Sequence, residues 1–233
     1  MTALAERLTA LDARIADAAR AVGRDPGEVT RIVVTKFHPA SLITDLAALG
    51  VRDVGESRQQ ELSAKRAELA RVASPEADRL VWHFIGQLQS KKARAVRAAS
   101  DCVHSVDRER IADALHGADP DAAPLDVFLQ VNLTDDPSRG GAAPAAIEAL
   151  AAHTAAHCPS LRVRGVMAVA PLVEAPAEAF ERLAEAAAAV RRVVPDASWM
   201  SAGMSGDFAE AIAAGATHLR IGAAITGPRP DRG

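Results

Sequence analysis

The sequence predicts an α/β protein built as a single (β/α)8 barrel with one helix before its first strand. Three observations point there. Eight short apolar or β-branched runs recur along the chain, helix-like segments separate them, and the 233 residues come close to the ~250 of a typical barrel.

The elements follow in order. Leu4, Leu8, Leu11, Ile15 and Val22 recur at helical spacing, and Gly23, Asp25 and Pro26 supply a stop, so a helix opens the chain. The strand runs are RIVVTK (31–36), VRDVG (51–55), VWHFIG (81–86), DCVHSV (101–106), DVFLQVN (126–132), RVRGVMAV (162–169), SWMSAG (198–203) and HLRIG (218–222). Helical segments are expected over 40–49, 57–71, 88–98, 108–117, 144–156, 175–193 and 205–214. Loops rich in Pro, Gly, Asp or Ser at 70–78, 116–124 and 132–144 fall between elements, so residues 1–233 read as one domain.

Composition narrows the function classes. A formal charge of −3 argues against a general nucleic-acid binder, whose domain is usually strongly basic. The charged opening stretch is neither a signal peptide nor an anchor, and no run approaches the roughly 18 apolar residues of a spanning helix, so no membrane partner is expected. Two cysteines fit a reduced, cytoplasmic compartment. His153, His157 and Cys158 read as a helix face rather than zinc ligands, and the basic run at 90–97 as a solvated helix face.

The chain has four lysines against twenty-three arginines. Lys65, Lys91 and Lys92 lie in charge-rich helical stretches where solvent is expected to surround them. Lys36 is different: read as the last residue of the first strand, it shares a face with Ile32 and Val34, which sets its amine over an apolar wall at the catalytic rim. Such a wall favours the neutral, nucleophilic amine that forms a Schiff base with an aldehyde. The loops after strands seven and eight, 201–207 and 220–227, suit a phosphate. Gly203 and Gly206 allow tight turns, Ser205 and Asp207 are helix N-cap types, Arg220 brings charge and Gly222 allows close approach. Lysine and phosphate cradle together describe a site for pyridoxal 5′-phosphate (PLP); a cofactor-free sugar-phosphate aldolase has the same two features. Met167 and Asn132, ending strands six and five, are core filler or pocket wall. Asp53 and Glu56 fall on opposite faces of their strand, and His38, His83 and His104 lie near predicted strand ends where a base is useful.

The motifs VTKFHP around Lys36, GESRQQE (55–61), WHFIGQLQSKK (82–92), HSVD (104–107), QVN (130–132), RGVMAV (164–169) and the run 201–227 occur in one order. Over about 5–228 the chain thereby resembles the pyridoxal phosphate homeostasis protein family. The resemblance implies a barrel like the N-terminal domain of alanine racemase, with PLP held as a Schiff base on Lys36. It also implies phosphate contacts at Met204, Ser205, Arg220 and Gly222, and a pocket that includes Ser57, Met167 and Ser201. Where the family usually reads GEN, this chain has Ser57; Gln87 replaces a histidine, Ala202 a methionine and Thr226 a phenylalanine. The implied role is a carrier or regulator of PLP without established turnover, PLP-requiring apo-enzymes being its expected recipients and a monomer its expected state. The competing role is a racemase of the same fold. Two-base racemases of that kind set a tyrosine opposite the lysine, and this chain contains none.

Overall fold

The computed structural model describes residues 2–71 and 75–229. Residues 72–74, in the loop expected at 70–78, lie outside the described residues. Eight parallel strands, β1 (Thr30–Val34), β2 (Asp53–Glu56), β3 (Val81–Phe84), β4 (Cys102–Val106), β5 (Leu125–Gln130), β6 (Leu161–Met167), β7 (Trp199–Ser201) and β8 (His218–Ile221), pair in chain order and close as a barrel. Closure is made by β1 on β8, with Thr30 opposite His218 and Val33 opposite Ile221.

Helix α1 (Ala3–Ala21) precedes the barrel; Leu8, Leu11, Ile15 and Ala19 are its buried residues, as their spacing predicts, and the Thr2 hydroxyl caps it by accepting from the Ala5 N–H. The ring continues with α2 (Ala40–Ala48), α3 (Gln59–Leu69), α4 (Ala93–Ala99), α5 (Glu109–His116), α6 (Ile147–His157), α7 (Pro176–Val193), α8 (Phe208–Ala213) and a last turn, α9 (Ala223–Thr226). The helix expected over 88–98 begins instead with a single 3₁₀ turn at Ser90–Lys92. α1 packs against α8 and α9 beside the closing seam, where Arg7 Nε donates to the Ile225 carbonyl (2.7 Å). Among the described residues no helix is long and apolar enough to cross a membrane.

The main apolar core lies between strands and helices. Outward strand residues such as Val33, Val54, Val103, Leu129 and Leu219 join Ile43, Leu46, Leu62, Ile111, Ile147, Phe180 and Leu183 in one buried cluster, each large side chain worth roughly 1.5–3 kcal/mol of burial. Barrel interiors of this kind are usually filled by Val, Ile and Leu. Here the inward side is largely polar and aromatic: Asp53, His83, His104, Ser201, His218 and Arg220 share it with Phe128, Met167, Trp199 and Cys102.

One boundary differs from the sequence expectation where it matters. β1 ends at Val34, not Lys36. Thr35 still donates its N–H to the Gly55 carbonyl (3.0 Å), but the chain then turns, with His38 N–H returning to the Thr35 carbonyl (3.1 Å) and Phe37 in the left-handed region at φ 70. The β-branched run through Thr35 conceals this turn in the sequence.

Candidate functional site

Lys36 stands on the turn after β1, at the end of the barrel where the strands finish, and its side chain is exposed. Ile32 and Val34 lie lower, inside the barrel, facing Gly55 and Ile85. What surrounds Lys36 is cationic. The Phe37 ring has Arg229 Cζ at 3.8 Å, Arg58 Cζ at 4.7 Å and Lys36 Nζ at 5.9 Å from its centre, which makes a positive rim around an aromatic face. A bulky residue with positive φ is strained, and here it is held by its N–H, which donates to Glu61 Oε2 (2.9 Å).

Beneath that turn lies a second lysine. Lys65, expected to be solvated, is 7% exposed; its ammonium donates to Glu56 Oε1 (2.6 Å) and the Thr35 carbonyl (2.9 Å), while the Thr35 hydroxyl donates to the same Glu56 oxygen (2.7 Å). Burial pushes the Glu56 carboxyl up, and the Lys65 and Thr35 hydrogen bonds oppose that rise. Glu56 therefore works outside the barrel wall, while Asp53 points inside it, on opposite faces as strand alternation requires. The signal for Lys65 was present in the spacing: it sits between Leu62 and Leu69 at helical intervals, on the face that α3 buries.

The loops after β7 and β8 are those in which a phosphate cradle is expected. Gly203 has φ +91, and an added Cβ would stand 2.8 Å from Ala211 Cβ, so the loop after β7 needs glycine there. Its carbonyl accepts from the Arg220 N–H (2.9 Å), joining the two loops. Asp207 precedes α8 but makes no side-chain cap; its Oδ1 instead accepts from the Met204 N–H (2.6 Å), so that donor is taken. Met204 is 38% exposed and Ser205 half-buried. Gly222 lies against Val34, with only ordinary contacts around a built Cβ, and its carbonyl starts α9 by accepting from Ile225 and Thr226. Ser57 follows β2 half-buried, and Gly86 packs so closely that a Cβ there would stand 1.9 Å from the Ser57 carbonyl oxygen. Met167 is buried with Cys102 and Phe128, with Trp199 packed against them, while Asn132 organises its own loop through Thr134 and Asp136.

Arg220 is the electrostatic centre. It is 6% exposed, with Nη1 donating to Ser201 Oγ (2.7 Å) and Nη2 to the Ala168 carbonyl (2.8 Å). Burial lowers it to about 10, which leaves it charged at neutral pH. Among the described residues no ion pair compensates it; Asp207 acts on it only through the field. A buried, unpaired guanidinium below a cationic rim is chemistry for holding a small anion. With an exposed primary amine on the same rim, the residues present fit a phosphorylated aldehyde such as PLP.

His83 and His104 are not at the rim. Both are buried inside the barrel, where His83 Nδ1 meets His104 Nε2 (2.9 Å), His83 Nε2 meets Asp53 Oδ1 (3.0 Å) and His104 Nδ1 meets Ser201 Oγ (2.9 Å). A ring nitrogen of each and the Cys102 sulfur come within 4.8 Å of one another. Every ring nitrogen already has a hydrogen-bond partner, and burial raises the Cys102 thiol well above its ordinary value, so the cluster reads as a hydrogen-bonded chain. His38 stays on the turn beside Lys36, lowered by burial and by Lys65. At the opposite mouth a cavity of about 760 Å³ is lined by the starts of the strands, including Thr30, Asp53, Cys102, Trp199 and His218.

Comparison with known proteins gives the family and the fold. The family profile described as alanine racemase, N-terminal domain, matches residues 7–230. The pyridoxal phosphate homeostasis protein of Pseudomonas aeruginosa is 41% identical over 236 residues, covering 98% of this chain and 97% of that protein. Its counterpart in Escherichia coli K12 is 38% identical over 233 residues, 98% of each. Among solved structures, PipY of Synechococcus elongatus with PLP bound superposes at a TM-score of 0.81 and 34% identity, over 96% of this chain and 100% of that one. Alanine racemase from Corynebacterium glutamicum shares the fold alone, at a TM-score of 0.68 and 16% identity over 94% of this chain and 60% of that one.

Proposed function

This chain belongs to the alanine racemase N-terminal domain family and, within it, to the pyridoxal phosphate homeostasis proteins; from that premise we propose that it holds PLP through Lys36 and makes it available to other proteins without turning over an amino acid. The observation that carries this reading is Arg220: a buried cation that makes no ion pair among the described residues, under a rim that presents a free lysine. When bound, PLP supplies an aldehyde that condenses with an amine. Lys36 offers that amine from an exposed turn, and the surrounding Arg58 and Arg229 raise the local concentration of anions. Ser205 and Gly222 receive the phosphate beside Met204, whose own N–H is held by Asp207, Arg220 balances its charge from below, and Ser57, Ser201 and Met167 complete the surroundings. No tyrosine is available to return a proton on the face opposite Lys36, which supports a carrier over a two-base racemase.

In this reading residues 1–233 form one domain that acts as a cytoplasmic monomer and hands PLP to apo-enzymes that require it. The test is the visible spectrum of the purified protein with and without added PLP, beside Lys36→Ala, with an assay for alanine racemisation. The expected result is a visible band bleached by borohydride, absent from the variant, and no racemisation. A wild-type protein that stays colourless with PLP in excess overturns the reading.

A further inference from the structure

The polar chain inside the barrel has ends that fix it. A guanidinium only donates and a carboxylate only accepts, so with Arg220 at one end, Asp53 at the other and both imidazoles neutral, each proton between them has one place. Arg220 Nη1 donates to Ser201 Oγ (2.7 Å), Ser201 donates to His104 Nδ1 (2.9 Å), His104 Nε2 donates to His83 Nδ1 (2.9 Å), and His83 Nε2 donates to Asp53 Oδ1 (3.0 Å). The Ser201 proton is then turned towards His104.

We propose that Ser201, His104, His83 and Asp53 form a proton relay that couples anion binding at Arg220 to the uptake of one proton, so that the protein grips a phosphorylated pyridoxal-type ligand more tightly in acid and loosens as the pH rises; this rests on the cofactor reading above. The proton balance closes. One proton enters at Ser201 Oγ, the original Ser201 proton passes to His104 Nδ1, and the His104 Nε2 proton passes to His83 Nδ1. His83 ends as an imidazolium against the Asp53 carboxylate, His104 ends neutral with its tautomer reversed, and Ser201 carries a hydrogen no longer bound to His104. That hydrogen is free to donate to an anion held above, and the interior has gained one positive charge. Both changes favour the anion.

The groups facing the relay decide where the charge rests. His104 meets Arg220, His83 and His218, and burial with these neighbours drives it well below its ordinary value, so it conducts rather than keeps a proton. His218 on β8, its ring centre 6.4 Å from that of His83, is lowered to about 3 and stays neutral. Cys102 on β4 is a neutral thiol. Asp126 on β5 is engaged by Arg162 and Arg164 of β6. Of the two relay histidines only His83 abuts a carboxylate, and Asp53 opens on the cavity of about 760 Å³, where solvent supports the new ion pair.

The probe is pyridoxine 5′-phosphate, which lacks the aldehyde and cannot condense with Lys36. Its Kd is measured calorimetrically in wild type, His83→Gln and Asp53→Asn across roughly pH 5 to 8, where histidine titrates, in two buffers that report proton uptake. Linkage of one proton makes the wild-type affinity fall, relative to His83→Gln, by up to about tenfold per pH unit on the alkaline side. Asp53→Asn, a same-shape change at a side chain 23% exposed, keeps the acceptor but displaces this dependence to lower pH. Identical pH profiles for wild type and a folded His83→Gln overturn the relay while leaving the cofactor reading standing. If His83→Gln does not fold, Asp53→Asn decides: a profile unchanged from wild type overturns the relay. A folded wild type that forms the visible band with PLP but binds no pyridoxine 5′-phosphate at any pH overturns the relay alone, and one that does neither overturns both.

Discussion

Two buried polar clusters lie on either side of the barrel wall, and they are built on opposite rules. Outside it, Lys65 pairs with Glu56 at 2.6 Å and lies 3.7 Å from Glu61, and the Thr35 hydroxyl donates to Glu56, so the buried ammonium is compensated within the group. Inside it, four neutral or singly engaged links run from Asp53 to Arg220, and the cation at the end has no counter-ion among the described residues. The first is a clamp under the turn that carries Lys36; the second is, on the function proposed above, half of a binding site. Burial of charge therefore does not itself mark function: a compensated charge holds the fold, and an uncompensated one waits for a ligand.

The clamp gives the largest effect. Lys65→Ala leaves Glu56 buried and unpaired and is expected to cost about 3–5 kcal/mol in urea unfolding; replacing both partners, Lys65→Met with Glu56→Leu, recovers most of it. Recovery of stability without recovery of the visible PLP band would separate the clamp's positioning of Lys36 from its contribution to stability, and a cost near zero for the single variant would refute the clamp.

Acid acts on the inner cluster next. His104 and His218 are held below the ordinary histidine value, so their contribution is complete above about pH 6.5 and is lost as the pH falls below it, because the unfolded chain binds protons that the folded chain refuses. The stability of the ligand-free protein should fall by about 1.4 kcal/mol per pH unit for each of the two, and a flat profile between pH 6.5 and 4.5 would contradict their burial as neutral groups. The smallest effect belongs to the surface: Arg192→Ala, which removes an exposed pair with Glu148, should change stability by under about 1 kcal/mol.

Much of this was legible in the sequence, for identifiable reasons. Strand alternation placed Asp53 and Glu56 on opposite faces, and glycine at 203 signalled a turn that other residues resist. The end of β1 was not legible, because Val33, Val34 and Thr35 favour strand until a turn that Phe37 enters against its own preference. The inner chain was hidden too. His83, His104, Ser201 and Arg220 come from four strands, and their contacts depend on how far each strand is staggered in the closed barrel. Arg229 on the Phe37 ring is a contact between distant parts of the sequence that no local pattern announces.

The seam between β1 and β8 also sets an order of events during synthesis. On one side Thr30 to Val33 pair with His218 to Ile221, and α1 with the turn after it is fastened to carbonyls at Ile212, Ala216 and Ile225 through Arg7 and Arg24. A nascent chain thus exposes Lys36 to the cell long before Arg220 and Gly222 have left the ribosome. Until then the amine stands without the loops after β7 and β8, so on the function proposed above stable loading belongs to the finished chain, which draws its cofactor from the free pool.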